Sequence, residues 1–161
     1  MKKLKILFAL LIIFMLQGCG LTSPKYPHFG SKKDPAYYSK EVYSKILDNE
    51  EFSMVLFNNN LYKDISIDSS ENDILKEFFN SISETNYENQ EIPKETEPYE
   101  IRLEFSDGNK YVINVYNNTL VTLYPWDGNY PEDVISMEGV PVHYNLFDFC
   151  THIENQNKAL K

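Results

Sequence analysis

From Tyr99 the chain alternates without a break. Tyr99, Ile101, Leu103 and Phe105 are apolar, while Glu100, Arg102, Glu104 and Ser106 are polar. A period of two puts one set on a buried face and the other in water, as in an antiparallel strand covered on one side. Asp107-Gly108 supplies a turn, Tyr111, Ile113 and Val115 return on one face, and Asn117-Asn118 turns the chain again into a third strand over Thr119–Tyr124. Upstream, Phe52–Phe57 and Leu61–Ile67 flank Asn58-Asn59-Asn60, whose asparagines tolerate left-handed turn conformations; this predicts a β-hairpin.

Helical periods alternate with these strands. Asp34-Pro35 opens a first helix carrying Tyr38, Val42, Tyr43, Ile46 and Leu47 and ending near Asn49. Ser69 or Ser70 is the expected cap of a second, where Ile74, Leu75, Phe78, Phe79 and Ile82 form one apolar face. The apolar-poor stretch Glu84–Glu97 reads as a surface loop, and Val134–Val142 as extended chain limited by Gly139 and Pro141. Asn145 is placed to cap a last helix in which Leu146, Phe149, Cys150 and Ile153 share a face. The expected fold class is α+β: an antiparallel sheet, made of an N-terminal hairpin plus a three-strand meander, with two or three helices packed on one face.

The N-terminus has a different character. Lys2, Lys3 and Lys5 precede an apolar run, Ile6–Leu16, too short for the roughly 20 residues a spanning helix needs but right for the core of a secretory signal. Leu16-Gln17-Gly18-Cys19 follows directly. This stretch resembles the lipobox of bacterial prolipoproteins, with Gln17 at a tolerant position. The resemblance implies that the Cys19 thiol receives a diacylglyceryl group and that cleavage makes Cys19 the first residue. Two acyl chains meet the requirement for durable anchoring that one chain does not. The expected organisation is a signal peptide at 1–18, a lipidated tether at 19–33 broken by Pro24, Pro27 and Gly30, one α+β domain at 34–154, and a flexible tail at 155–161. The expected location is the extracytoplasmic face of the cell membrane, with the membrane itself a partner through the lipid on Cys19.

Charge narrows the partners. Without residues 1–18 the chain carries 12 basic and 24 acidic residues, a formal charge of −12. Such a surface repels nucleic acid and anionic headgroups, so no nucleic-acid partner is expected. If Cys19 is a thioether, Cys150 has no disulfide partner in the chain and reads as a small buried residue.

Candidate chemistry is sparse. His143 and His152 lie nine residues apart across a helix cap, and Asp127 with Asn129 matches only the start of a calcium loop, so neither a metal nor a cofactor is expected. Hydrolase, zinc-protease and phosphate-loop motifs are absent from the sequence. One aromatic cluster stands out: Tyr124, Trp126, Asp127 and Tyr130, holding the sole tryptophan. These residues suit ring stacking and hydrogen bonding to a glycan or a protein. Two placements stay open for Trp126, and the plainer one, in which it folds back and plugs one end of the core, is favoured. No catalytic residue is assigned. The functional expectation is a non-catalytic binding module for a protein or envelope component, with a wall-acting enzyme using acidic residues near Trp126 as the alternative.

From Tyr37 to Ile153 the chain also resembles uncharacterised lipoproteins of low-GC Gram-positive bacteria. The similar stretches are Phe52-Ser53-Met54, Pro98–Arg102, Tyr111–Tyr116, Tyr124–Gly128 and Tyr144–Cys150. The resemblance implies a shared fold and location and carries over no site residue.

Overall fold

In the computed structural model the described residues are 32, 34–88, 90–128 and 130–159. The signal segment, Cys19, the tether up to residue 31 and Asn129 lie outside them. Helix α1 spans Tyr37–Leu47. Strands β1, Phe52–Asn58, and β2, Lys63–Ser66, form the expected hairpin. Helix α2 spans Asp73–Ser81. Strands β3 (Tyr99–Phe105), β4 (Lys110–Val115), β5 (Leu120–Pro125) and β6 (Asp133–Ser136) follow, and helix α3 closes the chain at Leu146–Ala159. The fold is α+β, one six-stranded antiparallel sheet in the order β2-β1-β3-β4-β5-β6 with three helices.

The core follows from the alternation. Leu56, Ile101, Ile113, Val115, Leu123 and Ile135 leave one face of the sheet and are at most 1% exposed. Val42 of α1, Leu75 and Phe78 of α2, and Leu146 and Cys150 of α3 meet them in the same cluster and are fully buried. Removing a fully buried Phe side chain costs about 3–5 kcal/mol, so Phe78 is a main anchor of the sheet–helix contact. Asn145 caps α3 as expected: its Oδ1 accepts from the Phe147 N–H at 3.0 Å, and its amide donates to the Asn118 carbonyl at 2.8 Å, tying the helix start to the β4–β5 turn.

Several local expectations are corrected. Neither serine caps α2: Asn72 stands at its N-cap without a side-chain capping bond, and Asp68, whose carboxylate accepts from the Ser70 N–H at 2.9 Å, caps a 3₁₀ turn over Ser69–Glu71 just before it. In the hairpin the left-handed residue is Tyr62, at φ 48°, rather than an asparagine. Glu84–Tyr87 is a 3₁₀ turn, not open loop. There the Asn86 amide donates to the Ser136 carbonyl at 2.8 Å and covers the edge of β6. The extended segment after Trp126 is shorter than expected, because β6 stops at Ser136 and Gly139 turns the chain at φ 83°. The chain beyond Glu154 is helical to Ala159. Lys32, just before the expected start of the domain, pairs with Asp133, and its side chain is 10% exposed.

Candidate functional site

Alternation leaves a second sheet face, whose rows follow from the register. Val55, Arg102, Val112 and Tyr124 lie side by side across β1, β3, β4 and β5. Ser53, Glu104 and Lys110 form the next row. Trp126 extends it, because its N–H donates to the Lys110 carbonyl at 2.9 Å. The core cluster includes none of Val55, Phe57 or Val112. On this face an open hollow of about 520 Å³ is lined by Val55, Val112, Arg102, Lys110 and Trp126, with Ser53, Asp64 and Glu104 beside them.

Trp126 is 63% exposed, which corrects the core-plug placement. The reason is the period of two: carried past Pro125, it keeps residue 126 on the same face as residue 124. The turn beneath the ring is held by close packing. The Gly128 N–H donates to the Pro125 carbonyl at 3.1 Å. A Cβ on Gly128 would stand 2.8 Å from Pro125 Cγ and 3.0 Å from the Tyr38 hydroxyl, so glycine is required there.

Arg102 has partners on three sides. Its Nη1 donates to Asp64 at 3.2 Å, its Nη2 donates to Glu100 at 3.0 Å, and its guanidinium lies 4.2 Å from the Phe57 ring centre. Phe57 in turn meets Tyr62 edge-on at 6.3 Å. Lys110 pairs with Glu104 at 2.9 Å. Exposed pairs of this kind contribute only about 0–1 kcal/mol each, so they orient the side chains without locking them.

The structure divides the expected aromatic cluster. Tyr124 and Trp126 share the open face. Tyr124 is half-buried, and burial pushes its hydroxyl up to about 12. Asp127 is exposed on the turn. Tyr130 belongs to α1 instead: its ring meets Tyr37 at 5.5 Å, and its N–H donates to the Tyr38 hydroxyl at 2.9 Å. The residues that sequence reasoning missed, Arg102, Lys110, Phe57 and Asp64, come from other strands. The Asp107-Gly108 turn held the one usable signal, since it sets Arg102 opposite Val112.

Other chemistry-bearing groups have structural partners. Cys150 is buried, and burial pushes its thiol up. His143 meets Tyr144 edge-on with centroids 4.1 Å apart, and His152 bonds Gln156 at 2.7 Å. Among the described residues no three His, Cys, Asp or Glu side chains are grouped to hold a metal.

Fold and face together define a small α+β domain whose sheet is helix-covered on one side and carries an aromatic, charge-paired hollow on the other. The chain belongs to the family described as Domain of unknown function (DUF4883), whose model matches residues 32–150. It is similar to the crystal structure described as "Putative Lipoprotein from Clostridium perfringens", with 26% identity and a TM-score of 0.70 over 78% of this chain and 99% of that one. No curated protein matches the chain significantly.

Proposed function

We propose that the protein is a lipid-anchored, extracytoplasmic binding module that presents the Trp126 side of the sheet face opposite the helices to a protein or envelope component. Two observations support the anchoring. Leu16-Gln17-Gly18-Cys19 resembles a lipobox, and the similar Clostridium perfringens structure carries the description "Putative Lipoprotein". No helix among the described residues is long and apolar enough to cross a membrane, and a lipid on Cys19 supplies attachment without one.

One observation carries the binding role: Trp126 is 63% exposed beside a hollow whose charged members, Arg102 with Asp64 and Lys110 with Glu104, orient one another. Tryptophan and arginine on one solvated patch are the residue types that dominate binding energy at interfaces. The alternative, an enzyme acting on the wall, needs an acid with a raised pKa in the hollow. The acids that burial raises, Asp133 and Glu97, do not line it.

The full-length chain in a Gram-positive host tests both parts. Cys19→Ser is expected to release the protein into the medium, and retention in the membrane fraction overturns the anchor. Photo-crosslinking from position 104 on intact cells is expected to give adducts that Trp126→Ala abolishes. Adducts unchanged by that substitution overturn the binding face.

A further inference from the structure

Resting on the binding-module reading, we infer that the hollow beside Trp126 is a subsite for a neutral, hydroxyl-rich saccharide. Five features select this chemistry. The volume, about 520 Å³, lies within the roughly 300–1,000 Å³ of small-ligand sites. The exposed indole offers a flat apolar face, and the C–H face of a pyranose is its geometric match.

The polar groups pair off. Arg102 faces Asp64 and Glu100, and Lys110 faces Glu104. The site therefore presents directed donors and acceptors a few ångströms apart with little net field. A sugar ring, whose every hydroxyl both donates and accepts, satisfies such a surface; a strongly charged ligand would have to break these pairs. The whole chain, at −9, adds long-range repulsion against polyanions.

Strand order disfavours peptide capture by strand addition beside the indole. β1, β3 and β4 are each hydrogen-bonded on both sides, so the strands under the Trp126 side of the hollow offer an extended peptide no edge to pair with; the free edge, β2, reaches the lining only through Asp64.

The sole tryptophan makes the test direct. Full-length protein in detergent is titrated with neutral oligosaccharides, an N-acetylglucosamine tetramer and maltotetraose, following Trp126 emission. A saturable blue shift is expected, with an affinity that changes less than twofold between 50 and 500 mM salt. Calorimetry should show at least tenfold weaker binding for Trp126→Ala and Arg102→Ala at unchanged melting temperature, with Trp126→Phe close to wild type. No saturable response to either neutral saccharide overturns the inference. So does salt-sensitive binding of an anionic polymer such as lipoteichoic acid in their place. Either result accompanied by Trp126-dependent crosslinks on cells removes the saccharide but keeps the binding module; loss of those crosslinks as well removes both.

Discussion

The buried carboxylate of Asp133 accepts two hydrogen bonds from Ser39, one from its backbone N–H at 2.6 Å and one from its hydroxyl at 2.7 Å. Ser39 lies in the first turn of α1, where N–H groups have no partner within the helix. An acid on β6 thus caps a helix about a hundred residues earlier, with Lys32 as its counter-ion. Asp133→Ala leaves the Ser39 N–H and the Lys32 ammonium unpaired and is expected to cost about 3 kcal/mol. Asp133→Asn retains an acceptor without a buried charge and should cost less than half as much. Urea unfolding of the two variants checks the order, and an equal loss in both would show that the capping geometry contributes nothing.

The same residue gives a pH dependence of definite sign. Burial raises the Asp133 carboxyl above its ordinary value of 3.8, against the hydrogen bonds from Lys32 and Ser39 that lower it. Between 3.8 and the raised value the folded state binds more protons than the unfolded chain, so stability falls as pH rises through that window. Asp34, Asp68, Asp107 and Glu154 act oppositely. Hydrogen bonds lower them, led by Lys40, Ser70, Lys45 and Lys158 respectively, so their contribution is present above the ordinary carboxylate range and lost as pH falls through the folded values. The difference in unfolding free energy between wild type and Asp133→Asn should therefore shift against wild type as pH rises from 3.8, then level off. A difference that stays flat would remove Asp133 as the source.

Tyrosines set the alkaline limit. Burial pushes Tyr87, Tyr99 and Tyr124 up to about 12, and the Tyr99 hydroxyl also donates to Glu154 at 2.6 Å. Each is favoured as the neutral phenol in the folded state, so stability is held below pH 10 and lost as pH rises from 10 towards 12. Tyrosinate absorbance followed alongside thermal melts should show a late group of phenols ionising together with unfolding. Ionisation of all tyrosines in one step near 10 would contradict it.

The meander was legible because each turn is chemically explicit and each strand alternates. The second helix was legible because Leu75, Phe78 and Phe79 recur on one face. β6 was legible only in part: Val134–Val142 read as extended chain, but the strand opens one residue earlier on a charged residue, Asp133, that is buried to cap α1 from across the fold. Trp126 was misplaced because Pro125 and Gly128 read as the end of a strand, whereas the ladder continues one residue further to the Lys110 carbonyl. Arg102 could not be assigned a role from its own strand. Its stacking on Phe57 and its place beside the hollow depend on register across neighbouring strands, which turn chemistry specifies only between hairpin partners. β1 pairs with β3 after a separation of some forty residues, and no local signal sets that register.

Tyr62 tests how much strain the hairpin tip stores. A left-handed conformation costs an L-residue about 1–2 kcal/mol and glycine almost nothing, and Tyr62 holds φ 48° while 86% exposed. The opposing term is its edge-on contact with Phe57 at 6.3 Å, which at an exposed site contributes about 0.5 kcal/mol. The greater backbone freedom of glycine in the unfolded chain takes back part of the gain. The balance predicts that Tyr62→Gly is neutral or stabilises the domain by up to about 1 kcal/mol. Asn49→Gly, at φ 58° after α1, serves as a control, because asparagine tolerates this region better and should gain less. A Tyr62→Gly loss beyond about 1 kcal/mol in urea unfolding would mean that the Phe57 contact outweighs the strain. It would also tie the hairpin tip to the ring on which Arg102 rests, and the same variant should then weaken ligand binding at the hollow.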